Sequence, residues 1–171
     1  MKIGLVSDTH MPRFAKSLPA ALKAGLIAQR VELILHLGDF TAPFVVDLFS
    51  DIAPVDAVAG NNDPAEIHRR FGRRKILHVA GLRIGMVHGD GARRTTLERA
   101  REAFAGEALD VILFGHSHCP YCERQGEVWL INPGSPTDKR RNPSYSYGVL
   151  EIENGHATPT LYYYGDKRAE P

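Results

Sequence analysis

The sequence predicts an α/β fold, two packed mixed sheets with helices outside, and three observations carry that expectation. Short β-branched-rich runs alternate with helical patterns through the first two thirds of the chain. Five of those runs break into a turn that holds aspartate, asparagine or histidine. After His118 the helical patterns stop and only strand-like runs follow. Repeated strand, helix, strand argues for parallel pairing, and the later strands argue for antiparallel pairing.

Taken in order, Ile3 to Val6 reads as a strand that breaks into Ser7-Asp8-Thr9-His10. Leu18 to Arg30 reads as a helix, with Ser17 as its N-cap and Pro19 in its first turn. Leu33 to Leu37 is a strand ending in Gly38-Asp39, followed by a short helix over Pro43 to Phe49. Val55 to Ala59 ends in Gly60-Asn61-Asn62-Asp63, and Pro64 opens a helix that runs to Phe71. Ile76 to Val79 and Arg83 to Val87 form a hairpin across Ala80-Gly81-Leu82, and the second arm ends in His88-Gly89-Asp90. Thr95 to Gly106 carries Leu97, Ala100 and Phe104 at helical spacing. Val111 to Phe114 ends in Gly115-His116-Ser117-His118. Tyr121 to Arg124, Val128 to Ile131, Tyr147 to Ile152 and Thr158 to Tyr164 complete the strands, the last two joined at Asn154-Gly155, a strong hairpin turn. Asp166 to Pro171 reads as a loose tail, and residues 1–171 as a single domain.

Composition excludes several classes. With 21 Lys and Arg against 20 Asp and Glu the chain carries a formal charge of +1, so it has no acidic disordered tail and asks for no nucleic-acid polymer. No run approaches the roughly 18 apolar residues of a membrane span, and MKIGLVSDTH turns polar at Ser7, too early for a signal peptide. A cytoplasmic protein with no membrane partner is the expectation. Two cysteines cannot build a disulfide framework. Cys119-Pro120-Tyr121-Cys122 matches the glutaredoxin dithiol motif, but that chemistry needs the first cysteine at a helix N-terminus, and no helical pattern follows.

Loops at the carboxyl ends of strands converge in open α/β sheets. The five breaks would therefore gather Asp8, His10, Asp39, Asn61, His88, His116 and His118: two carboxylates, one amide oxygen and four imidazoles. Mixed carboxylate and imidazole ligands suit Mn, Fe, Zn, Ni or Co, whereas an all-oxygen set would suit Mg or Ca. Seven ligands exceed the needs of one such ion and fit two ions about 3.5–4 Å apart that share a carboxylate. His36 in mid-strand, His68 on a helix, His78 in the hairpin and His156 beside a turn read as ordinary polar residues. The basic run Arg69, Arg70, Arg73, Arg74 and Lys75 reads as a solvated face.

The motifs DTH at Asp8 to His10, GD at Gly38-Asp39, GNND at Gly60 to Asp63, HG at His88-Gly89 and GHSH at Gly115 to His118 together resemble the calcineurin-like metallophosphoesterase signature. Their spacing, and NPGS at Asn132 to Ser135, are similar to the compact YfcE-type phosphodiesterases. The resemblance implies a four-layer α/β-β/α sandwich with a dinuclear site. It assigns Asp8, His10, Asp39 and His118 to one divalent ion, and Asn61, His88 and His116 to a second, with Asp39 bridging. Manganese leads the expected metals, ahead of Ni, Zn, Fe or Co. The implied reaction is hydrolysis of a small, nucleotide-like phosphodiester by a hydroxide shared between the ions, with Asp39, Asn61, Asn62 and His116 nearest the chemistry. Arg140 or Arg141, beside the NPGS loop, would clamp a phosphate, since guanidinium matches phosphate bidentately, and Arg13 is a weaker candidate for the same task. The composition leaves a homo-oligomer open.

One position departs from the larger superfamily. Many members carry histidine directly after the motif asparagine, where it serves as a proton donor to the leaving group. Asn62 stands there instead, and an amide donates a hydrogen bond but gives up no proton. General acid help is worth roughly 10²–10⁴-fold, so poor leaving groups should suffer most. The alternative reading is a metal-poor scaffold on the same fold, like the retromer subunit, which would predict eroded ligands; all seven positions are filled.

Overall fold

The computed structural model describes residues 1–168. Its elements follow the expected order: β1 (Lys2–Val6), α1 (Ala20–Ala28), β2 (Leu33–His36), α2 (Phe44–Ser50), β3 (Val55–Ala57), α3 (Ala65–Phe71), β4 (Arg74–Val79), β5 (Leu82–Val87), α4 (Thr96–Ala103), β6 (Val111–Leu113), β7 (Tyr121–Gln125), β8 (Val128–Asn132), β9 (Tyr145–Glu153) and β10 (His156–Tyr164). Ten strands divide equally between two sheets, ordered β10-β9-β1-β2-β3 and β4-β5-β6-β8-β7. In the first sheet β1, β2 and β3 run parallel, and β9 and β10 extend it antiparallel. The second repeats the plan: β5, β6 and β8 are parallel, with β4 and β7 as antiparallel edges.

Alternation along the strands assembles the layers, because successive side chains point to opposite faces. Ile3 and Leu5, Leu35 and Leu37, Ile84 and Met86, Val111 and Leu113, Ile131, Leu150 and Ile152 form one buried cluster between the sheets. The alternate residues Val6, Ile34, Tyr147 and Val149 pack with Leu22, Leu26, Val46, Phe49, Ile67 and Phe71 of α1, α2 and α3. Ile112, Phe114 and Leu130 meet Ala100 of α4 and Phe104 behind the other sheet. Helices, sheet, sheet, helix is the predicted four-layer sandwich, with both sheets mixed.

Two local expectations need correction. Helix α1 begins at Ala20 behind Pro19 and has no side-chain cap; Ser17 lies too far upstream, and the fixed φ of proline (−52° here) starts the helix instead. The tail is not loose at Lys167, whose Nζ donates to the carbonyls of Phe14 (2.5 Å) and Thr137 (2.7 Å). Residues 169–171 of that tail lie outside the described residues. The Asn154-Gly155 turn has φ of 49° and 74°, as a tight two-residue hairpin requires. From the basic run, Arg73, Arg74 and Lys75 reach Asp90, Glu107 and Asp56. Strand β7 follows Cys119, and burial raises the Cys122 thiol, which removes the conditions for dithiol chemistry.

Candidate metal centre

The first three parallel strands of one sheet and the parallel pair β5 and β6 of the other end on the same rim. Backbone hydrogen bonds tie their loops together: Asp8 N–H donates to the Gly38 carbonyl (2.9 Å), His10 N–H to the Asp39 carbonyl (3.0 Å), and Gly115 N–H to the His88 carbonyl (3.0 Å). The chain turns sharply here. Asp8, His10, Asp39, His116 and His118, five of the seven expected ligands, have φ between 43° and 65°. Non-glycine residues enter that region at a cost of roughly 1–2 kcal/mol each, and aspartate and histidine are among the residues enriched there.

Three glycines make the turns close enough. A Cβ on Gly60 would lie 2.2 Å from Asp39 Oδ1, one on Gly38 would lie 2.7 Å from His88 Nδ1, and one on Gly115 would lie 2.9 Å from Asp8 Oδ2. Each motif glycine is therefore the space in which a neighbouring ligand side chain sits.

Asp8, Asp39, His88 and His118 are buried, His10 and His116 half-buried, and Asn61 and Asn62 exposed, so the centre opens to solvent on the asparagine side. Asp39 Oδ2 lies 3.4 Å from both His10 Nε2 and His88 Nε2. Asp8 Oδ1 lies 3.4 Å from His118 Nε2, 3.8 Å from His10 Nε2 and 3.9 Å from His88 Nε2. His116 Nδ1 is 3.1 Å from Asn61 Oδ1. All seven expected ligands thus meet at one rim. Two overlapping groups, Asp8 with His10 and His118, and Asp8 with Asp39 and His88, each bring their donor atoms within 4.8 Å of one another.

Neighbours aim these atoms inward. His88 Nδ1 is 2.6 Å from the Leu37 carbonyl and His118 Nδ1 is 2.6 Å from that of Asp138; a carbonyl only accepts, so each Nδ1 carries a proton and Nε2 is the atom turned to the centre. Ser7 Oγ and the His116 N–H both donate to Asp8 Oδ2, leaving Oδ1 unused. Among the described residues, Asp8 Oδ1, His10 Nε2, His88 Nε2 and His118 Nε2 are buried without a hydrogen-bond partner. An unpaired buried polar atom costs about 1–3 kcal/mol, and here four such atoms face one another. Ligands about 2.0–2.2 Å from a common ion stand roughly 3–3.6 Å apart, so the donor set and its spacing fit divalent metal ions.

Electrostatics point the same way. Burial works to raise both carboxyls, but bonds and charges from His10, His88, His118 and Ser7 hold Asp8 below its ordinary value, and His88 with Asn62 does the same for Asp39. Burial works to lower His88, but Asp39 and Asp8 push it up to about 9, so a cation entering there displaces a proton. Burial leads the lowering of His116 and His118.

The substrate-contact candidates lie at the edge of this centre. The Asn62 backbone N–H and its Nδ2 both donate to the Asp39 carboxylate at 2.8 Å. Arg140 and Arg141 line a cavity with Ser117, Cys119 and Asn142. Arg13 lies over the Phe14 ring, 5.3 Å from its centroid, and that ring in turn meets His10.

Asp63 carries more than its motif position suggested. Its Oδ2 accepts from Asp39 N–H and Gly60 N–H, and its Oδ1 from Thr41 N–H, all at 2.8 Å. A carboxylate two residues after a ligand was the available signal. Ser135, the last residue of the NPGS motif, donates through Oγ to the Asp8 carbonyl, and Thr137, which the sequence did not single out, donates through Oγ1 to that of Thr9, from a loop more than 120 residues away. His36, set aside as ordinary, is buried against Thr9 and Gly38 and lowered to about 3 by burial, so it stays neutral.

Residues 1–155 match the model of the calcineurin-like phosphoesterase superfamily domain. The chain belongs to that superfamily. A probable metallophosphoesterase of Methanothermobacter thermautotrophicus is 35% identical to this phosphoesterase over 158 residues, covering 90% of it and 87% of the relative. The solved structure of a novel archaeal phosphodiesterase superposes with a TM-score of 0.72 at 25% identity, covering 95% of this chain and all of that one. Vps29 of Entamoeba histolytica complexed with zinc gives 0.73 at 21% identity, over 95% and 99% of the two chains, a likeness of fold. The phosphoesterase has no helix, among its described residues, long and apolar enough to cross a membrane.

Proposed function

We propose that residues 1–171 form one dinuclear phosphodiesterase unit, in which Asp8, His10, Asp39 and His118 hold one divalent transition-metal ion and Asp39, Asn61, His88 and His116 a second. The observation that carries the proposal is the set of four buried, unpartnered donor atoms gathered in two overlapping groups. A protein-interaction role on the same fold asks nothing of those atoms and leaves their burial cost unexplained. Two such ions supply Lewis acidity to phosphoryl oxygens and bring the pKa of water to about 7.

The chain's own residues do the rest. Asp39, kept ionised and fixed by two Asn62 donors, balances the charge of the centre from its middle. Asn61 and His116, on the solvent-open side, face an approaching ester. Arg140 and Arg141, beside Ser117, offer a guanidinium to its non-bridging oxygens. With Asn62 engaged on Asp39, the leaving alkoxide receives no proton from that position, so activated esters with good leaving groups are the favoured substrates.

The test is metal analysis of purified protein, then chelation and reconstitution with Mn, Ni or Zn and assay on paired phosphate mono- and diesters. Two bound ions per chain and faster diester hydrolysis are expected, with manganese first. Protein that binds no ion and hydrolyses no ester would sink the reading.

A further inference from the structure

Seven of the 21 Lys and Arg side chains lie within ion-pair distance of a carboxylate among the described residues. Arg73 meets Asp90, Arg74 and Arg83 meet Glu107, Arg94 meets Glu102, and Arg124 meets Glu127. Four of the others are gathered at one place. Arg13, Lys16, Lys167 and Arg168 all line a cleft of about 550 Å³ formed by residues 12–20 and the start of the tail. Among the described residues, none of the four has a carboxylate within ion-pair distance of its side chain. Asp138, whose charge reaches Lys167, approaches His118 (3.4 Å) and accepts from the Arg140 N–H, and Asp166 accepts from the Arg168 N–H; neither is within ion-pair distance of the four side chains.

The cleft adjoins the metal centre through Phe14. Its N–H donates to the His10 carbonyl (3.1 Å), and its ring meets the His10 ring edge-on at 6.0 Å between centroids. Arg13 lies 5.3 Å from the Phe14 centroid and Lys167 5.8 Å from it. Lys167 is held on three sides, by the carbonyls of Phe14 and Thr137 and by the Tyr145 ring at 5.5 Å. An ammonium has three N–H donors; the two carbonyls take two of them and fix its charge at the edge of the cleft.

Four like charges around one cavity, in a chain of net charge +1, repel one another and raise the local potential; an anion relieves that cost. A diester's scissile phosphate belongs at the metal ligands, which leaves this cleft for a second anionic group on the same molecule. We infer that the cleft beside His10 binds a further phosphate of the substrate, so that the preferred ester is a nucleotide-like diester bearing a second phosphate group. This rests on the phosphodiesterase reading for its catalytic part and on the cleft alone for its binding part.

The two parts separate experimentally. In chelator-treated protein, titration calorimetry with thymidine 3′,5′-bisphosphate and with thymidine 5′-phosphate reads binding without metal. The bisphosphate should bind about tenfold more tightly, as one added charge-assisted contact predicts, and the advantage should shrink as salt screens the cleft. Lys16→Ala with Arg168→Ala, both on exposed side chains, should erase it; Lys167→Gln is a second variant. In the metal-loaded enzyme, the p-nitrophenyl ester of thymidine 5′-phosphate with a 3′-phosphate should show a KM about tenfold below the ester without it, and the double variant should bring the ratio towards one. Equal binding of the two nucleotides, or a ratio the variants leave unmoved, overturns the inference. Bisphosphate binding that the variants abolish, in a protein that hydrolyses neither ester, upholds the cleft and overturns the phosphodiesterase.

Discussion

At the scale of single residues, the centre depends on side chains that never touch its open middle. Asp63 fixes the backbone of Asp39, Thr41 and Gly60 with two oxygens. Asp63→Asn keeps the shape but turns one oxygen into an NH₂ that faces an N–H donor. The variant should fold, lose about 1–3 kcal/mol of stability, and bind manganese some 10–100-fold more weakly; calorimetric metal titration that returns an unchanged affinity would remove Asp63 from the positioning role. Asn62 gives the opposite case, a position where the larger superfamily's proton donor is missing. Asn62→His should raise kcat for esters with poor leaving groups by roughly tenfold or more, within the range of general acid catalysis, and hardly change it for p-nitrophenyl esters. Rates plotted against leaving-group pKa check this, and a uniform change across the series would contradict it.

Among the helices of the described residues, α4 is the one with a side-chain cap. Thr95 caps it by accepting from Glu98 N–H (3.2 Å), and the Glu98 carboxylate returns to Thr95 N–H (2.7 Å). The helix covers Ile112, Phe114 and Leu130 through Ala100, next to the loop that carries His116 and His118. Thr95→Ala should cost about 1 kcal/mol. The two Thr95 contacts hold the Glu98 carboxyl below its ordinary value. A lowered folded value means the contribution is whole above the unfolded carboxyl value and is lost as pH falls through the folded one. Denaturant unfolding of wild type and variant should therefore show a gap at pH 7 that narrows, without closing, as pH falls below the ordinary carboxyl range, because the bond from Glu98 N–H to Thr95 Oγ1 does not titrate; a gap constant with pH would remove the carboxylate from the account.

For the whole molecule, the centre is a joint between two sheets. Asp8 and Asp39 come from one, His88, His116 and His118 from the other, and the apolar layer between the sheets stops where these residues begin. A cation shared across that joint binds the folded chain and not the unfolded one. Manganese at about 100 times its dissociation constant should stabilise the chelator-treated protein by about 2.7 kcal/mol and raise Tm by roughly 5–10 °C. Magnesium should do less, because it favours oxygen ligands and retains its waters. A Tm indifferent to manganese would mean that the ligands of the two sheets do not share an ion.

The sequence by itself determined the strands, their alternation into inner and outer faces, and the set of polar residues at their ends, because periodicity, β-branching and turn residues are local properties of the chain. Gly38-Asp39 and Gly115-His116-Ser117-His118 were legible for that reason. Only the tertiary structure decided that Asp39 Oδ2 stands equally far from His10 and His88, that Ser135 and Thr137 brace the first loop from the far end of the chain, and that Lys167 closes a cation-lined cleft against Phe14. Each of those depends on contacts between segments far apart in sequence, whose distances are set by how the two sheets pack and leave no periodic trace in the chain.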